Sequence, residues 1–578
     1  MVTGSPVLDP AFIGALLRSS TPAQLRSALA FLPATTAERS RMVEAALRSG
    51  GGDLLRAEIG NWIVERLVPV ETLVPETYLK WHAPVRDAML YVISHFSHAR
   101  LAPKIVEQIE LPPDTPPEIR LLRLIAKVPG LQKLGQIVSR NRHLRPALRE
   151  ALSELENGIQ DVNAQDMRAL IQEELGSRLE TCAVEIEPAL LSEASVSAVL
   201  RFTWWNPDLQ EREKGVFKVL KPHIPACFAE DMELLQRLAE YFGARHGEYG
   251  FAAHVLPETF TKVRRLLEHE VDFVREQKTL QQACSLYRSI AGVRVPRLIR
   301  PLCSPRVTAI TEEQGVKVTT AAHHMPAWRR GRVAGQLIEA LIAAPMLAAD
   351  AEAMFHADPH PGNLLYNSNT GELVILDWAL TERLSRSQRR HLTLLFFMVG
   401  LRDRVGAANQ VCALSQRMIR RDSRQAHMIR DCVADFLDRL PLTRIPGAVD
   451  AMLLLEELAV KGVRFPAPLI MFSKALFTLD AILNSIGGSD AFRNFILARH
   501  LARRWLANRA AFGSPLTFQD LLGIQCSAAF CGGRMWVHGE QALLNRLLPR
   551  TSNQHSAVST QPKPETALSN QHSALSQT

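Results

Sequence analysis

Polar residues of types that handle phosphate lie close together in residues 355–380. His356 and Asp358 form an H-x-D pair, and Asn363 follows five residues after Asp358. Asp377 comes fourteen residues after Asn363. In kinase-like phosphotransferases the first Asp orients or deprotonates the acceptor, and the Asn and second Asp hold the magnesium ions that bridge the nucleotide phosphates. The spacing therefore predicts Asp358 as the catalytic carboxylate and Asn363 and Asp377 as metal ligands.

The residues between these side chains predict how they are positioned. Two prolines and a glycine in residues 359–362 force an irregular loop, so the flanking polar side chains can face one cavity without helical or strand register. Apolar residues 364–366 and 373–376 are separated by a polar turn sequence at 367–371. This pattern predicts a β-hairpin whose outer flanks carry the two metal ligands.

Two simpler interpretations of this stretch are a capped turn and a zinc site. An isolated H-x-D sequence is usually a capped turn, but the Asn, the hairpin and the final Asp together favour phosphotransfer. His356 and His360 are spaced like a ligand pair, yet a Pro-rich loop does not align residues at that spacing. No Cys or third His lies nearby in the sequence.

Lys218 is the candidate cation of the site. It lies in the middle of a predicted strand at residues 215–220, which follows a strand at 200–204 and a turn at 206–208. A lysine in an apolar strand is costly unless its ammonium finds an anion. In nucleotide phosphotransferases this anion is the α/β-phosphate, together with a helix glutamate. The alternative is an edge-strand lysine that reaches solvent.

Glu276 is the best candidate for that helix glutamate. Residues 262–282 are predicted to form a helix that carries several acidic residues, which otherwise are a solvated face. Glu270 and Asp272 are two residues apart and would not share a helix face. A small-residue segment, residues 192–199, is predicted as a loop before the lysine-bearing strands.

The remaining elements are predicted to link two lobes. Strands are expected at residues 293–299 and 306–310. The second leads into residues 311–315, a linker that would meet the adenine through backbone hydrogen bonds and makes Glu312 a candidate nucleotide contact. Residues 328–355 are predicted as one long helix bent at Pro345. Beyond Leu380 the pattern is helical to about residue 548, with proline breaks.

Composition limits the class of partner. The chain has 578 residues, 47% of them apolar, which is enough for two or three domains with a sizeable core. Its net charge of +8 permits a basic surface that faces anionic lipid or acidic partners. Arginines are scattered rather than clustered, so no nucleic-acid partner is predicted. Eight irregularly spaced cysteines are typical of a reducing compartment.

The expected location is cytoplasmic, with possible peripheral contact at the inner face of a membrane. The N-terminal residues lack a basic and then apolar leader. No uninterrupted run of eighteen apolar residues occurs. The longest uncharged candidates, near residues 392–401 and 465–473, are too short to span a bilayer.

Several motifs resemble those of the UbiB family of atypical kinases, also called the AarF or ADCK family. Lys133-Leu-Gly-Gln136 looks like the KxGQ signature of this family, and Glu270-Val-Asp272 is similar to its ExD motif. Residues 215–218 look like the strand that bears the nucleotide lysine, and residues 355–363 are close to the family consensus. The resemblance covers roughly residues 131–488.

The resemblance implies an α+β, protein-kinase-like bilobal fold with an antiparallel-sheet N-lobe and a helical C-lobe. It also implies that the KxGQ helix covers the site where a protein substrate normally enters, with Lys133 facing Glu270 or Asp272. Family members bind ATP with Mg²⁺ and are linked to ubiquinone or other isoprenoid-lipid metabolism at membranes. ATPase activity is favoured for them over protein phosphorylation.

The resemblance also assigns domains and site residues. The expected domains are a helical accessory domain (1–115), a KxGQ-bearing helical extension (116–190), an N-lobe (191–315), a C-lobe with a helical C-terminal region (316–550) and a disordered tail (551–578). The implied regulatory residues are Lys133, Gln136, Glu270 and Asp272. The implied nucleotide contacts are Lys218, Glu276, Glu312 and the small-residue loop Ala194, Ser195, Val196, Ser197 and Ala198.

The sequence departs from the family at two positions. Ser197 replaces a glycine of the small-residue nucleotide loop, which makes close backbone approach to phosphate less assured. Asp377-Trp-Ala379 stands where kinases have Asp-Phe-Gly, and Ala379 cannot adopt positive φ as cheaply as glycine.

Two other functions remain open at the sequence level. Choline and aminoglycoside phosphotransferases also carry H-x-D-x-x-x-x-N and often Asp-Trp, but a covered entrance suits a small alcohol badly. A pseudokinase that uses ATP as a conformational ligand, or that scaffolds a lipid-synthesis complex, would account for the altered loop.

Overall fold

The structure is a computed structural model that describes residues 10–487, apart from 31–34, 50, 140–144, 155–161, 251–254, 417–418, 421 and 442–443. It further describes residues 515–529 and the single positions 499, 503 and 531. The predicted tail at 551–578 lies outside the described residues.

The N-terminal part of the chain is helical, as predicted. Amphipathic sequences set these helices, and local caps start them: Thr35 and Glu38 form a reciprocal capping box at the start of α3. The helices are α1 (Pro10–Ser19), α2 (Pro22–Ala30), α3 (Thr36–Arg48), α4 (Gly52–Trp62), α5 (Val70–Leu73), α6 (His82–His95), α7 (His98–Glu110), α8 (Pro117–Ile125), α9 (Pro129–Ser139) and α10 (Pro146–Glu154).

An antiparallel sheet in the order β1-β2-β3-β5 follows, with helices packed around it. Phe202 and Phe217 stack across β2 and β3 with their ring centroids 3.9 Å apart and bury the inner face of the sheet. The elements are α11 (Ala164–Leu175), α12 (Ser177–Thr181), β1 (Glu185–Glu193), β2 (Ser197–Asn206), β3 (Glu211–Leu220), α13 (His223–Ala244), α14 (Val255–Val271), α15 (Phe273–Tyr287), β4 (Val293–Arg294) and β5 (Val307–Thr311).

The C-terminal part of the chain is mostly helical around short strands. It contains a four-stranded sheet in the order β4-β9-β8-β6 and an antiparallel pair, β7 with β10. The elements are β6 (Val316–Lys317), α16 (Val318–His323), α17 (Ala327–Ile338), α18 (Ala344–Met346), β7 (Glu352–His356), β8 (Leu364–Asn367), β9 (Glu372–Ile375), β10 (Thr381–Ser385), α19 (Arg386–Gly400), α20 (Arg404–Leu414), α21 (Arg424–Arg439), α22 (Ala448–Val460) and α23 (Ala467–Ser485).

The predicted α+β class, with an antiparallel-sheet lobe and a helical lobe, is confirmed. Separate buried clusters fill the sheet lobe and the helical lobe. A third buried cluster runs from α1 through α10 and continues into α13 and α14, so the N-terminal helices share one core with helices that flank the sheet. The domain boundaries stay a prediction.

Some predicted element bounds were wrong. Residues 328–355 do not form one helix: the helical residues end at Met346, and residues 352–356 form β7, which pairs with the unpredicted β10. Both strands are short, and their pairing with each other decides their conformation, which local periodicity does not reveal. The expected strand at 293–299 is reduced to β4, with a single bridge further along at Leu298.

Two other bounds near the candidate site also differ from the prediction. The helix expected at 262–282 is broken at Asp272, whose side chain caps α15 by accepting the Arg275 N–H at 2.9 Å. The loop expected at 192–199 is only three residues long, because β1 ends at Glu193 and β2 begins at Ser197. β1 was missed because its alternation is weak and most of its residues are exposed.

One helix of the described residues, α23, is long and apolar enough by length and composition to cross a membrane. It has 19 residues and a mean hydropathy of 1.3, and 44% of its most apolar window is buried inside the protein. It is longer than the apolar run at 465–473 considered in the sequence. Its buried side belongs to the core of the helical lobe, and core helices of globular proteins pass the same test.

Gly215→Ala is expected to destabilise the sheet that carries Lys218. A Cβ at this position would lie 2.5 Å from Cζ of Phe202, directly across the β2–β3 pair, and 3.0 Å from the Ile310 carbonyl. Overpacking of this kind costs about 1–3 kcal/mol. Thermal unfolding should show a lower Tm for this variant, whereas the control Gly247→Ala, with no atom near its Cβ position, should keep the wild-type Tm. Equal Tm values for both variants would contradict the tight packing.

Candidate active site

Lys218, Glu276 and Asp377 meet at the junction of the two lobes. Lys218 Nζ lies 2.7 Å from Glu276 Oε1 and 3.4 Å from Asp377 Oδ1. The lysine lies on β3, the glutamate in the first turn of α15 and the aspartate just after β9. The helix glutamate proposed from the sequence is thus in contact with the strand lysine. The Lys218 ammonium also lies 5.6 Å from the ring centroid of Phe273.

Burial and charge act in opposite directions on these three groups. Burial lowers the pKa of Lys218, but Asp377 and Glu276 outweigh it and hold that pKa above its ordinary value. Burial raises the pKa of Asp377, but Lys218 and the Ala379 N–H outweigh it and hold the pKa at about 2. Burial raises the pKa of Glu276, and Lys218 opposes that rise. The ammonium and the Asp377 carboxylate are therefore charged at neutral pH.

The loop after β7 fixes the backbone of Asp358. The Asp358 N–H donates to His356 Nδ1 at 3.2 Å, and His356 Nε2 donates to the Leu376 carbonyl at 3.1 Å. Burial lowers the pKa of His356, so the ring is neutral and these contacts select its Nε2–H tautomer. Asn363 Nδ2 donates to the Asp358 carbonyl at 3.3 Å. The histidine is therefore a structural support of the loop, and the Asn363 Oδ1 atom is left for a ligand.

The segment after β9 carries backbone strain at the predicted metal ligand, Asp377. Asp377 has φ of 51°, in the left-handed region, whereas Ala379 is not among the described residues with positive φ. The concern that Ala379 would need positive φ was therefore wrong: the aspartate takes the strained conformation, and its carboxylate accepts the Ala379 N–H at 3.2 Å. Trp378 is buried and donates to the Ile375 carbonyl at 3.2 Å.

The small-residue loop is closed tightly between β1 and β2. The Ala194 N–H donates to the Ser197 carbonyl at 2.8 Å, and the Lys221 N–H donates to the Val196 carbonyl at 2.9 Å. The side chains of Val196, Ser197 and Ala198 are buried, so they face the core. Among the five predicted loop contacts, only Ala194 and Ser195 have side chains that reach the surface.

A buried ion pair that the sequence reasoning missed underlies this loop. Lys221 Nζ lies 2.8 Å from Glu193 Oε1, and the two side chains are 1% and 6% exposed. The pair joins the last residue of β1 to the residue after β3, and the Lys221 N–H holds Val196 at the other end of the loop. The available signal was a charged residue directly after an apolar strand. Lys221 carries this signal, but only Lys218, three residues earlier, was assigned a role.

The structure also shows where the residues of the predicted substrate entrance lie. Lys133 on α9 forms an ion pair with Glu270 in the last turn of α14. Asp272 does not contact Lys133 in a recorded bond but caps α15. Gln136 is half-buried one turn after Lys133. The helix break at Asp272 therefore places Glu270 and Asp272 in different local structures: Glu270 ends α14, and Asp272 caps α15.

Glu312 lies at the predicted linker between the lobes, but its polar groups already have protein partners. Its N–H donates to the Lys214 carbonyl at 3.1 Å, and its carboxylate accepts from Arg201 Nε at 2.7 Å. The side chain is therefore directed towards β2, and its contact with a nucleotide stays a prediction.

A second lysine that the sequence reasoning missed reaches the site from a distant helix. Lys474 Nζ on α23 lies 3.3 Å from Asp358 Oδ1. The available signal was the one that identified Lys218, a lysine inside an apolar segment.

The zinc alternative has no support in the described part of the chain. No three His, Cys, Asp or Glu side chains there form a group able to hold a metal ion. His360 Nδ1 instead accepts the Gly362 N–H at 3.1 Å.

The geometry is that of a kinase-like site, and the comparison with known families agrees. Residues 154–411 match the family model described as the ABC1 atypical kinase-like domain. The chain carries an ABC1 domain. The resemblance to the UbiB, AarF and ADCK family is therefore confirmed. The ABC1 domain contains Lys218, Glu276, Asp358, Asn363 and Asp377, whereas Lys133 and Lys474 lie outside the matched residues.

Curated relatives are similar at low identity. An uncharacterized protein of Synechocystis, sll1770, is 25% identical over 70% of this chain and 67% of its own length. The chloroplastic protein ACTIVITY OF BC1 COMPLEX KINASE 7 of Arabidopsis thaliana is 26% identical over 61% of this chain and 50% of its own length. A probable protein kinase UbiB of Glaesserella parasuis is 26% identical over 50% of this chain and 53% of its own length. The chain thus spans about half the length of the latter two relatives.

The residues of the ABC1 domain fit a nucleotide and a divalent cation. Glu276 Oε2 is buried with no hydrogen-bond partner, although it lies beside the Lys218 ammonium. Carboxylate and amide oxygens, which Asp377 and Asn363 offer, are the ligands that Mg²⁺ prefers. A kinase-like domain in general uses ATP and a divalent metal.

Lys221→Met is expected to lower the stability of the ABC1 domain by about 3–5 kcal/mol, because it leaves Glu193 buried without its cation. The double variant Lys221→Met/Glu193→Leu should recover most of that loss, since it removes both charges. Lys214→Met, an exposed lysine on the same strand, is the matched control. Thermal unfolding of the four proteins measures the effect, and a double variant no more stable than Lys221→Met would contradict a charge-pair origin.

The low pKa of Asp377 predicts a pH-dependent contribution to stability. Its pKa is about 2 in the folded protein and about 3.9 in unfolded chains, so the contribution is fully present above pH 4 and is lost as the pH falls through 2. The difference in Tm between the wild type and Asp377→Asn should therefore shrink from pH 5 to pH 2. A constant difference over this range would contradict the prediction. The side chain is 43% exposed, so solvent screening keeps the effect small.

Proposed function

We propose that this protein is a UbiB-type atypical kinase that binds Mg-ATP and cleaves its γ-phosphate bond. The observation that supports this most directly is the contact of Lys218 with both Glu276 and Asp377, which come from separate elements up to 159 residues apart. A phosphate-binding cation beside a metal-binding carboxylate is the arrangement that phosphoryl transfer requires. The acceptor is water or a hydroxyl group beside Asp358.

The roles of the residues follow from their places. Lys218, held by Glu276, binds the α- and β-phosphates and balances the charge that develops as the β–γ bridging bond breaks. Asp358 orients the acceptor oxygen and takes its proton as that oxygen bonds to the γ-phosphorus. Asn363 and Asp377 would hold Mg²⁺, which would supply positive charge to neutralise the phosphates. The tight loop at residues 194–196 would cover the phosphates.

The proposed physiological setting is ubiquinone or other isoprenoid-lipid metabolism. Relatives of this chain include proteins named probable protein kinase UbiB, and the net charge of +8 suits contact with an anionic membrane. We propose a cytoplasmic location with peripheral contact at the inner face of a membrane. Turnover of ATP measured with and without anionic liposomes tests this part, and equal rates in both would contradict it.

A second candidate is a nucleotide-binding scaffold without turnover. The loop between β1 and β2 has only three residues and no glycine, so it offers few backbone N–H groups to phosphates. Thermal stabilisation by Mg-ATP in the absence of any ATP turnover would support this candidate over the first.

Magnesium-dependent ATP hydrolysis by the purified full chain tests the proposed function. Asp377→Asn and Asp358→Ala should each lower kcat by about 100-fold or more, because one removes a metal ligand and the other the acceptor-side carboxylate. Asp438→Asn, an exposed aspartate paired with Arg404 on α20, is the matched control and should keep the wild-type rate. Full activity of Asp377→Asn would overturn the proposal. Phosphate transfer to a soluble alcohol would instead favour a small-molecule kinase.

A further inference from the structure

A lysine from a helix near the C-terminus lies on the acceptor side of the proposed active site. Lys474 Nζ is 3.3 Å from Asp358 Oδ1, although 116 residues separate the two in sequence. The side chains are 35% and 20% exposed, so the contact is partly shielded from solvent. Lys474 lies on α23 and Asp358 in the loop after β7, which makes this a contact between two independent elements of the helical lobe.

The position of Lys474 is unfavourable for a lysine unless its charge has a partner. α23 carries only two charged residues, Lys474 and Asp480, and its buried side is apolar. Phe472, Ala475 and Leu476 beside Lys474 are buried in the core of the lobe. A partly buried ammonium is costly without a nearby anion. Asp358 supplies that anion, so the helix places its one cation at the carboxylate expected to do chemistry.

Two further hydrogen bonds hold the backbone of Asp358. His356 accepts the Asp358 N–H, and Asn363 donates to the Asp358 carbonyl. These bonds fix the backbone of the loop at Asp358. The Lys474 ammonium, in contrast, contacts the carboxylate of Asp358 through Oδ1. The loop from Asp358 to Asn363 contains no lysine or arginine of its own.

We propose that Lys474 is a positioning residue for phosphoryl transfer. Its ammonium holds the Asp358 carboxylate in the rotamer that faces the acceptor, and it offsets the repulsion between that carboxylate and the incoming γ-phosphate. Two negative charges in contact repel strongly in a site that is partly shielded from solvent, so a cation beside the carboxylate raises the rate of the chemical step. This inference rests on the proposed function.

Lys218 and Lys474 then compensate negative charge on two different sides of the site. Lys218 serves the α- and β-phosphates through Glu276 and Asp377, and Lys474 serves the acceptor side through Asp358. The two lysines come from the two lobes. A substitution at Lys474 should therefore change the chemical step and leave nucleotide binding almost intact, which distinguishes it from a substitution at Lys218.

The test compares ATP hydrolysis by wild type, Lys474→Met, Lys474→Arg and a matched control, Lys461→Met. Lys461 is also a helical-lobe lysine paired with a carboxylate, Glu457, and has no contact with the active-site residues. We expect Lys474→Met to lower kcat by about 10- to 100-fold with KM for ATP changed by less than about 3-fold. Lys474→Arg should keep most of the activity, since it retains the charge.

A double-mutant cycle and a stability measurement separate positioning from a merely structural role. In the Asp358→Asn background, Lys474→Met should cause no further loss of kcat, because the carboxylate on which it acts is gone. The Tm of Lys474→Met should equal or exceed that of the wild type, because methionine suits an apolar helix. If this variant folds poorly, Lys474→Gln provides the same comparison.

Each outcome decides the proposal. A wild-type kcat in Lys474→Met, with Asp358→Ala inactive, would overturn the role of Lys474 and leave the proposed function standing. A higher kcat in Lys474→Met would identify the pair as an inhibitory latch and likewise overturn it. Additive losses in the double variant would show that Lys474 does not act through Asp358. Absence of ATP turnover by the wild type would overturn the proposed function and this inference with it.

Discussion

A lysine ammonium on a largely buried strand must be surrounded by anions, and this requirement organises the centre of the molecule. Phe217 and Val219 beside Lys218 are fully buried, and the lysine side chain itself is only 18% exposed. Its two carboxylates come from a helix and from the end of a hairpin in the other lobe. Compensation of this one charge therefore ties the lobes together. Asp377, with Oδ1 3.4 Å from the ammonium, is the carboxylate that would also meet a bound divalent cation.

The sequence alone was sufficient to predict this centre because its residues break local rules. A lysine in an apolar strand and polar residues around a Pro-rich loop each need an explanation, and a shared phosphate-binding site was the one hypothesis that accounted for all of them. The hairpin β8–β9 was predicted for a related reason, since a turn sequence separates two apolar runs. The strands β7 and β10 were not, because their conformation depends on their pairing with each other. The sequence analysis considered positive φ only at Ala379, whereas the structure has it at Asp377.

The N-terminal helices have a physical connection to the site that their sequences did not show. Asp231 on α13 is buried, accepts the Gly130 N–H at 2.8 Å and lies 2.7 Å from the Arg100 guanidinium. Gly130 is in the first turn of α9, the helix that carries Lys133. The ion pair of Lys133 with Glu270 therefore rests on a helix whose start is anchored to the N-terminal core. Long-range links of this kind depend on packing between elements that are distant in sequence. The periodicity of a sequence does not show which distant elements pack together.

The segment that matches the ABC1 domain is shorter than the structural unit that carries the site. The core of the helical lobe includes Leu454, Leu458 and Leu476, well beyond residue 411, where the match ends. A chain cut at that residue would expose the inner faces of α19 and α20, because α22 packs on α19 and α21 packs on α20. It would also lose Lys474, just as a chain begun at residue 154 would lose Lys133. The residues that contact the proposed acceptor side and the entrance thus come from flanking helices, so the matched segment alone does not supply every residue of the proposed site.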